Sequence, residues 1–387
     1  MPLFLQAGNY FEAGISVLDP DVSGKTKDNY PFIGSPISNA SVGEMAESYQ
    51  TVQAALKLQV TDQFSFGFIY DQPFGSKAKY SLTPEKLPNT LPPAAAALAG
   101  QGTFHNGIET TSAKVDTQNL SLIFGFQPNK NFNLYAGPVY QTVTVDVQLR
   151  GTAYGGSATF GGYNFITKEN GELGWLAGAA YQIPEIALKA SVTYRSEIDH
   201  KTTIHEDVPL ADLLGIDYSH QNSGTITTPE SINLNLQTGL NATTAVYAKV
   251  RYVPWGDFAY YPPVLEAATA KAKQLSKGLP LVNYSDDQTA VELGIGKRLA
   301  PNLAISVSGL WDSGAGDPAP TLGPVNGYWG AGLAAKYNFN QKLAFSLGGR
   351  YMWFGDAKGS TPDGSIKGDF KDNTGYIVGM KLSYKSK

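Results

Sequence analysis

The chain has 387 residues, with 42 glycines, 23 prolines, 5 Trp, 22 Tyr and 18 Phe, and its charged fraction of 16% is well under the roughly 25% of a typical soluble domain, which favours one large unit. A formal net charge of -4 announces no phosphate-neutralising surface, so nucleic acid is not an expected partner, and the lack of cysteine removes disulfides, thiolate metal sites and thiol nucleophiles. No window offers the roughly 20 consecutive apolar residues of a membrane-spanning helix, but a barrel strand needs only about 9 to 11 residues of alternating character.

The opening residues, Met1 to Tyr10, show no basic segment, apolar core or small-residue cleavage site, so the chain as written carries no export signal. From Tyr10 onward, period-2 segments recur near residues 10 to 18, 48 to 60, 63 to 80, 113 to 126, 131 to 149, 171 to 183, 186 to 201, 224 to 240, 243 to 258, 287 to 299, 302 to 312, 325 to 339, 342 to 357 and 371 to 384. The clearest run sets Leu343, Phe345, Leu347, Tyr351 and Trp353 on one face against Ala344, Ser346, Gly348, Arg350 and Met352. Tight connections at 127–130, 241–243, 300–302 and 340–341 alternate with long ones at 81–112, 202–223 and 259–286. Fourteen antiparallel strands joined in this way predict an all-β transmembrane barrel, with the long loops extracellular.

A soluble β-sandwich also alternates. Aromatics at strand ends (Trp311, Trp353, Phe339, Tyr252, Tyr194) and a last strand ending near Tyr384 favour the barrel, because they match interfacial girdles. In a barrel, the faces opposite the greasy ones carry Glu12, Lys57, Lys189, Arg195, Lys249, Arg251, Glu292, Arg350 and Lys381, and these charges must point into the lumen.

The third segment contains Asp71-Gln72-Pro73-Phe74-Gly75 in mid-strand. Proline donates no ladder hydrogen bond and glycine holds no register, so a bulge or kink is expected there. Three loop stretches look helical, each opened by proline: 91–98, 208–214 with Leu213 and Leu214, and 263–275 with Val264 and Leu265 on an apolar stripe. Such stripes serve equally for packing on the barrel rim and for an apolar groove that catches a ligand.

The stretches Phe11-Glu12-Ala13-Gly14, Asp19-Pro20-Asp21-Val22, Thr193-Tyr194-Arg195-Ser196-Glu197, Pro229-Glu230, Tyr252 to Trp255 with Phe258, Tyr328-Trp329 and Tyr351 together resemble the FadL-type outer-membrane transporters. That family takes up long-chain fatty acids and, in its toluene-related branches, aromatic hydrocarbons. The resemblance implies a fourteen-strand barrel over residues 10–387, preceded at 1–9 by a remnant of an N-terminal hatch whose Asn-Pro-Ala motif is echoed by Met1-Pro2-Leu3-Phe4. It implies a monomer in the outer membrane of a Gram-negative cell, in contact with bilayer and lipopolysaccharide, using no cofactor. It further implies lateral passage of a hydrophobic ligand through the kink at Asp71, Gln72, Pro73, Phe74 and Gly75, with Phe74 at the edge. Leu213, Leu214, Val264 and Leu265 are the expected apolar contacts in the loops. Arg195, Lys249, Arg251 and Arg350 are candidates to pair with a carboxylate headgroup, or alternatively only neutralise Glu12 and Glu292.

Two other functions compete. An outer-membrane hydrolase needs a nucleophile and a base, yet His105, His200, His205 and His220 accompany no Gly-x-Ser-x-Gly or His-Glu-x-x-His, and are read as solvated loop residues with no metal site. A general porin for polar solutes fits a charged lumen, but not apolar loop helices or a mid-strand break.

Overall fold

A computed structural model describes residues 3–27, 38–82, 102–157, 159–219 and 222–386. Fourteen strands form the wall. They are β1 (Tyr10–Asp21), β2 (Tyr49–Gln59), β3 in two pieces (Phe64–Asp71 and Gly75–Lys79), β4 (Ser112–Phe126), β5 (Phe132–Gln148), β6 (Asn170–Ile183) and β7 (Leu188–Arg195). The circuit continues with β8 (Ser231–Asn241), β9 (Thr244–Val253), β10 (Gln288–Ala300), β11 (Leu303–Asp312), β12 (Tyr328–Asn338), β13 (Leu343–Phe354) and β14 (Thr374–Lys385). Each strand pairs antiparallel with the next, and β14 returns to β1 with Tyr10 opposite Lys385 and Asp21 opposite Thr374, which closes the cylinder.

The alternation read from sequence maps onto the two faces of this wall. Leu293, Ile295, Val307, Trp329, Leu333, Leu347, Trp353, Val378 and Met380 are all exposed on the outer face. A surface of that size is unfavourable in water and favourable in hydrocarbon, while closure leaves almost no ladder group to be satisfied by lipid. The inner face carries the charges described below. Tight turns repeat one device: Asn129 Oδ1 accepts from Asn131 N and Phe132 N, Asn241 Oδ1 from Thr243 N, and Asn340 Oδ1 from Lys342 N and Leu343 N, at 2.8–3.0 Å. An asparagine side chain that mimics a backbone turn fixes the register of the strands it joins.

At the opposite end the strands continue into a cap. A five-stranded sheet comprises Ser23–Thr26, Ser41–Glu44, Ala319–Pro320, Ala357–Ser360 and Ile366–Phe370. The seventh and eighth strands are shorter than the spans 186–201 and 224–240 expected from periodicity. Beyond Arg195 and before Ser231 the chain leaves the wall, and Ile198–Asp207 pairs with Ser223–Thr228 and with Asn164–Thr167. Alternation persists through such an extension, so periodicity alone does not mark where the wall stops.

Two α-helices are described, α1 (Pro209–Leu213) and α2 (Pro263–Lys273), each with proline at the first helical position. The segment expected to be helical at 91–98 lies outside the described residues. Glu206 fastens α2: its Oε1 accepts from Val264 N at 2.9 Å and its Oε2 from Leu265 N at 3.0 Å, with Tyr163 donating at 3.2 Å. Burial pushes the Glu206 carboxyl up, against the lowering effect of those three donors.

Candidate ligand cavity and wall opening

The ladder of β3 is interrupted where Pro73 and Gly75 predict it. Against β4, Asp71 pairs with Asn119 and the next pair is Gly75 with Asp116, so β3 holds one residue more than its neighbour across the break. Against β2, pairing stops at Ala54 opposite Tyr70 and resumes only at the single bridge between Ala46 and Ala78. The wall between β2 and β3 therefore has no ladder pair over the intervening residues, apart from the bond of Glu47 N to Lys77 O at 3.1 Å that flanks the bridge. A cavity of about 310 Å³ occupies this stretch, lined by Ser48, Tyr49, Gln50, Gly75, Ser76 and Asp116 among others. Part of the broken backbone finds partners in side chains: Phe74 N donates to Thr117 Oγ1 at 3.1 Å, and the same hydroxyl donates to Phe74 O.

Inside the barrel a second cavity of about 430 Å³ shares Tyr49, Gln50, Gly75, Ser76, Val115 and Asp116 with the wall opening, so the two meet along one edge. Its walls are chiefly apolar, with Val143, Val145, Val147, Ile226, Leu281 and Leu322 from strands and loops. Four rings gather on one side. Trp255 lies 5.6 Å from Phe74, 5.2 Å from Phe258 and 5.1 Å from Tyr284, centroid to centroid, in edge-on contacts. Among the described residues, no lysine or arginine lines this cavity.

Towards the turn end the character changes. A chamber of about 260 Å³ is lined by Leu3, Phe4, Glu12, Asp71, Arg195 and Arg251 among others, and a larger space of about 760 Å³ by Lys189, Lys249, Glu292, Arg350 and Lys381. Most of these cations are committed. Arg195 binds Asp71 through both terminal nitrogens at 3.3 and 2.7 Å, Glu292 receives Lys249 at 3.1 Å and Arg350 at 2.7 Å, and Lys381 reaches Glu12 at 2.9 Å. Arg251 has no ion pair among the described residues; its guanidinium stands over the Phe74 ring.

Residues Leu3–Leu5 form a 3-10 turn that is buried within the lumen. Phe4 stacks on Tyr135 at 5.1 Å with the rings nearly parallel, and a Cβ at Gly67 or Gly125 would lie 2.9 or 2.6 Å from its ring. Two glycines on adjacent strands thus leave the space that Phe4 fills. Lys57, only 2% exposed, donates to Gln6 O at 2.7 Å, and Lys189 donates to Leu5 O at 3.2 Å. These two lumen lysines are engaged with the N-terminal backbone.

The loop residues fall elsewhere than on the cavity wall. Val264 and Leu265 are 0% and 2% exposed in the core of the cap, where Glu206 holds the first turn of α2, so their apolar stripe serves packing. Leu214 packs against the edge of that core and Leu213 is 72% exposed to the outside. Two histidines correct the reading as solvated loop residues. His200 is fully buried with Nε2 2.8 Å from Gln141 Oε1, and His105 is buried with Nδ1 accepting from Gly107 N. Burial holds the His200 imidazole below its ordinary pKa and so favours the neutral ring. His220 lies outside the described residues. The sequence reading missed the grouping of Trp255, Phe258 and Tyr284 about Phe74. The only available signal was a Trp and a Phe three apart beside a long loop, with Tyr284 at that loop's far end.

A closed fourteen-strand barrel with an apolar outer band, a charged lumen and an interrupted third strand defines a transmembrane β-barrel fold. The structure matches a Pseudomonas aeruginosa FadL homologue with a TM-score of 0.71 at 15% identity, over 98% of this chain and 90% of that one. It matches the P. putida toluene transporter TodX at 0.61 and 13% identity, over 99% and 91%, and the CymD monoaromatic hydrocarbon channel at 0.55 and 11%, over 98% and 89%. The chain therefore has the fold of the FadL-type barrels. No protein-family model and no curated protein matches the sequence.

Proposed function

We propose that this chain is an outer-membrane channel of Gram-negative cells that takes up hydrophobic molecules, long-chain fatty acids foremost, and releases them sideways into the bilayer through the break in β3. The observation that carries this reading is the continuity between the apolar inner cavity and the wall opening at Gly75 and Ser76. A ligand in that cavity reaches the wall without crossing the charged lumen. Movement is passive, since a hydrophobe gains free energy on entering lipid, at roughly 25 cal/mol per Å² of apolar surface removed from water. In this reading the barrel acts as a monomer set among lipid and lipopolysaccharide, and it performs no covalent chemistry.

A second ligand class, small neutral aromatics, is favoured by the ring cluster about Trp255 and by the lack of cations among the described residues of the cavity wall. Binding of an oleate-like acid, a monoaromatic hydrocarbon and a neutral sugar to the purified barrel separates the possibilities. Saturable binding of the acid supports the primary reading and binding of the aromatic alone supports the second. Binding of the sugar alone would replace both with a porin.

A further inference from the structure

The break between β2 and β3 preserves the register of the two strands. Below it Ala54 stands opposite Tyr70, and above it Ala46 stands opposite Ala78. Eight steps back along β2 thus correspond to eight steps forward along β3, so the extra residue of the kink is accommodated wholly against β4. An unbroken β2–β3 ladder would place Val52 opposite Gln72 and Tyr49 opposite Gly75, with no slip between these two strands. A closed wall is therefore reachable with the extra residue of β3 kept as a bulge against β4.

In the open arrangement Val52 N, which points across the gap towards β3, donates to Gln72 Oε1 at 2.9 Å. The Gln72 side-chain carbonyl thus accepts from the donor that a β3 main-chain carbonyl would take in a complete ladder. Next to it, Pro73 has no N–H to lose, and both backbone groups of Phe74 are taken up by Thr117. An opening that faces hydrocarbon cannot rely on water to satisfy its edges. We infer that Gln72 is the positioning residue that holds the wall open, its side-chain carbonyl replacing the main-chain acceptor that the broken ladder withdraws. The consequence for transport rests on the lateral-exit reading above; the positioning role itself does not.

The absence of cysteine allows a direct test in the full chain. The Tyr49→Cys/Gly75→Cys pair sits across the gap at positions that face each other only when β3 straightens. With Gln72 present the pair should oxidise slowly. Adding Gln72→Leu removes the acceptor and should raise the rate of disulfide formation about tenfold, the shift expected for one stranded donor. Gln72→Glu, which restores an acceptor, should return the rate to its slow value. Equal rates with and without the Gln72→Leu substitution, both in heat-modifiable folded barrels, would overturn the inference. Should Gln72→Leu fail to fold, amide exchange of Val52 in the unaltered protein decides: slow exchange supports the bond, and exchange as fast as that of an open loop overturns it. Faster cross-linking by Gln72→Leu with undiminished uptake of hydrophobic ligand in the cysteine-free Gln72→Leu protein would support the role of Gln72 while removing the lateral exit.

Discussion

The guanidinium carbon of Arg251 stands 5.4 Å from the centroid of the Phe74 ring, and the same ring meets Trp255 edge-on at 5.6 Å. Phe74 therefore touches one residue of the apolar cavity and one of the charged chamber. Because Arg195, Lys249 and Arg350 already face carboxylates, Arg251 is the candidate cation with capacity for a ligand headgroup. Arg251→Gln should weaken binding of a long-chain acid by about tenfold or more, since a hydrogen bond to a charged group contributes about 1.5–3 kcal/mol. Binding of a neutral aromatic should be unaffected. Titration calorimetry with both ligands checks this; equal affinity of the acid for both proteins would remove Arg251 from the site.

The Asp71–Arg195 pair ties the last residue before the break to β7 across the lumen. Both side chains are partly solvated, so the pair contributes about 1 kcal/mol or less to stability. Its effect is expected on geometry. Asp71→Asn should leave heat-modifiable folding nearly unchanged while slowing release of hydrophobic ligand into lipid. The reversed pair Asp71→Arg/Arg195→Asp should restore part of the rate, measured by ligand transfer from proteoliposomes. No difference between Asp71→Asn and the unaltered barrel would show that the kink stands without its strut.

Phe4 fills the space left by Gly67 and Gly125, and its neighbours engage Lys57 and Lys189. Phe4→Ala or Gly125→Val should undock the segment and widen the polar path through the lumen. Planar-bilayer recordings should then show longer and larger single-channel currents than the unaltered protein. Identical traces would mean that other segments set the constriction.

In the cap, Lys273 Nζ reaches Asp363 Oδ2 at 3.2 Å, tying the end of α2 to the 361–365 turn. Burial pushes the Asp363 carboxyl up, but hydrogen bonds from Thr361, Ser365 and Lys273 override it and leave it at about 2. A carboxyl held below its ordinary value stabilises the folded form above that value and loses the contribution as pH falls towards about 2. Proteolysis within the turn should therefore rise between roughly pH 4 and pH 2. Asp363→Asn should show the elevated susceptibility already at neutral pH; a flat profile in the unaltered protein would contradict this.

The wall was legible because alternation, turn asparagines and lumen charges such as Glu292 and Lys381 all report on one periodicity. The break was legible because Pro73 and Gly75 are local causes. What escaped the sequence depends on closure of the cylinder. Asp71 and Arg195 are four strands apart, and the ring cluster joins Phe74 in the wall to Trp255 and Tyr284 at the two ends of a loop. Val264 and Leu265 show the same limit from the other side, since an apolar helical stripe reads alike whether a neighbour or a ligand covers it.

Lateral exit is tested most directly at Gly75. A Cβ there would meet only Val115 O at 3.6 Å, so a side chain is admitted without backbone strain, and an indole would project into the space shared by the cavity and the wall opening. Gly75→Trp should assemble as a heat-modifiable barrel and bind hydrophobic ligand with nearly the affinity of the unaltered protein. Its uptake of labelled fatty acid or monoaromatic into the bilayer of proteoliposomes should fall at least about tenfold, because an ordered side chain across the apolar path leaves the charged lumen as the alternative. Uptake at the unmodified rate, with the barrel assembled and the substitution verified, would contradict the account and send the ligand out through the turn end.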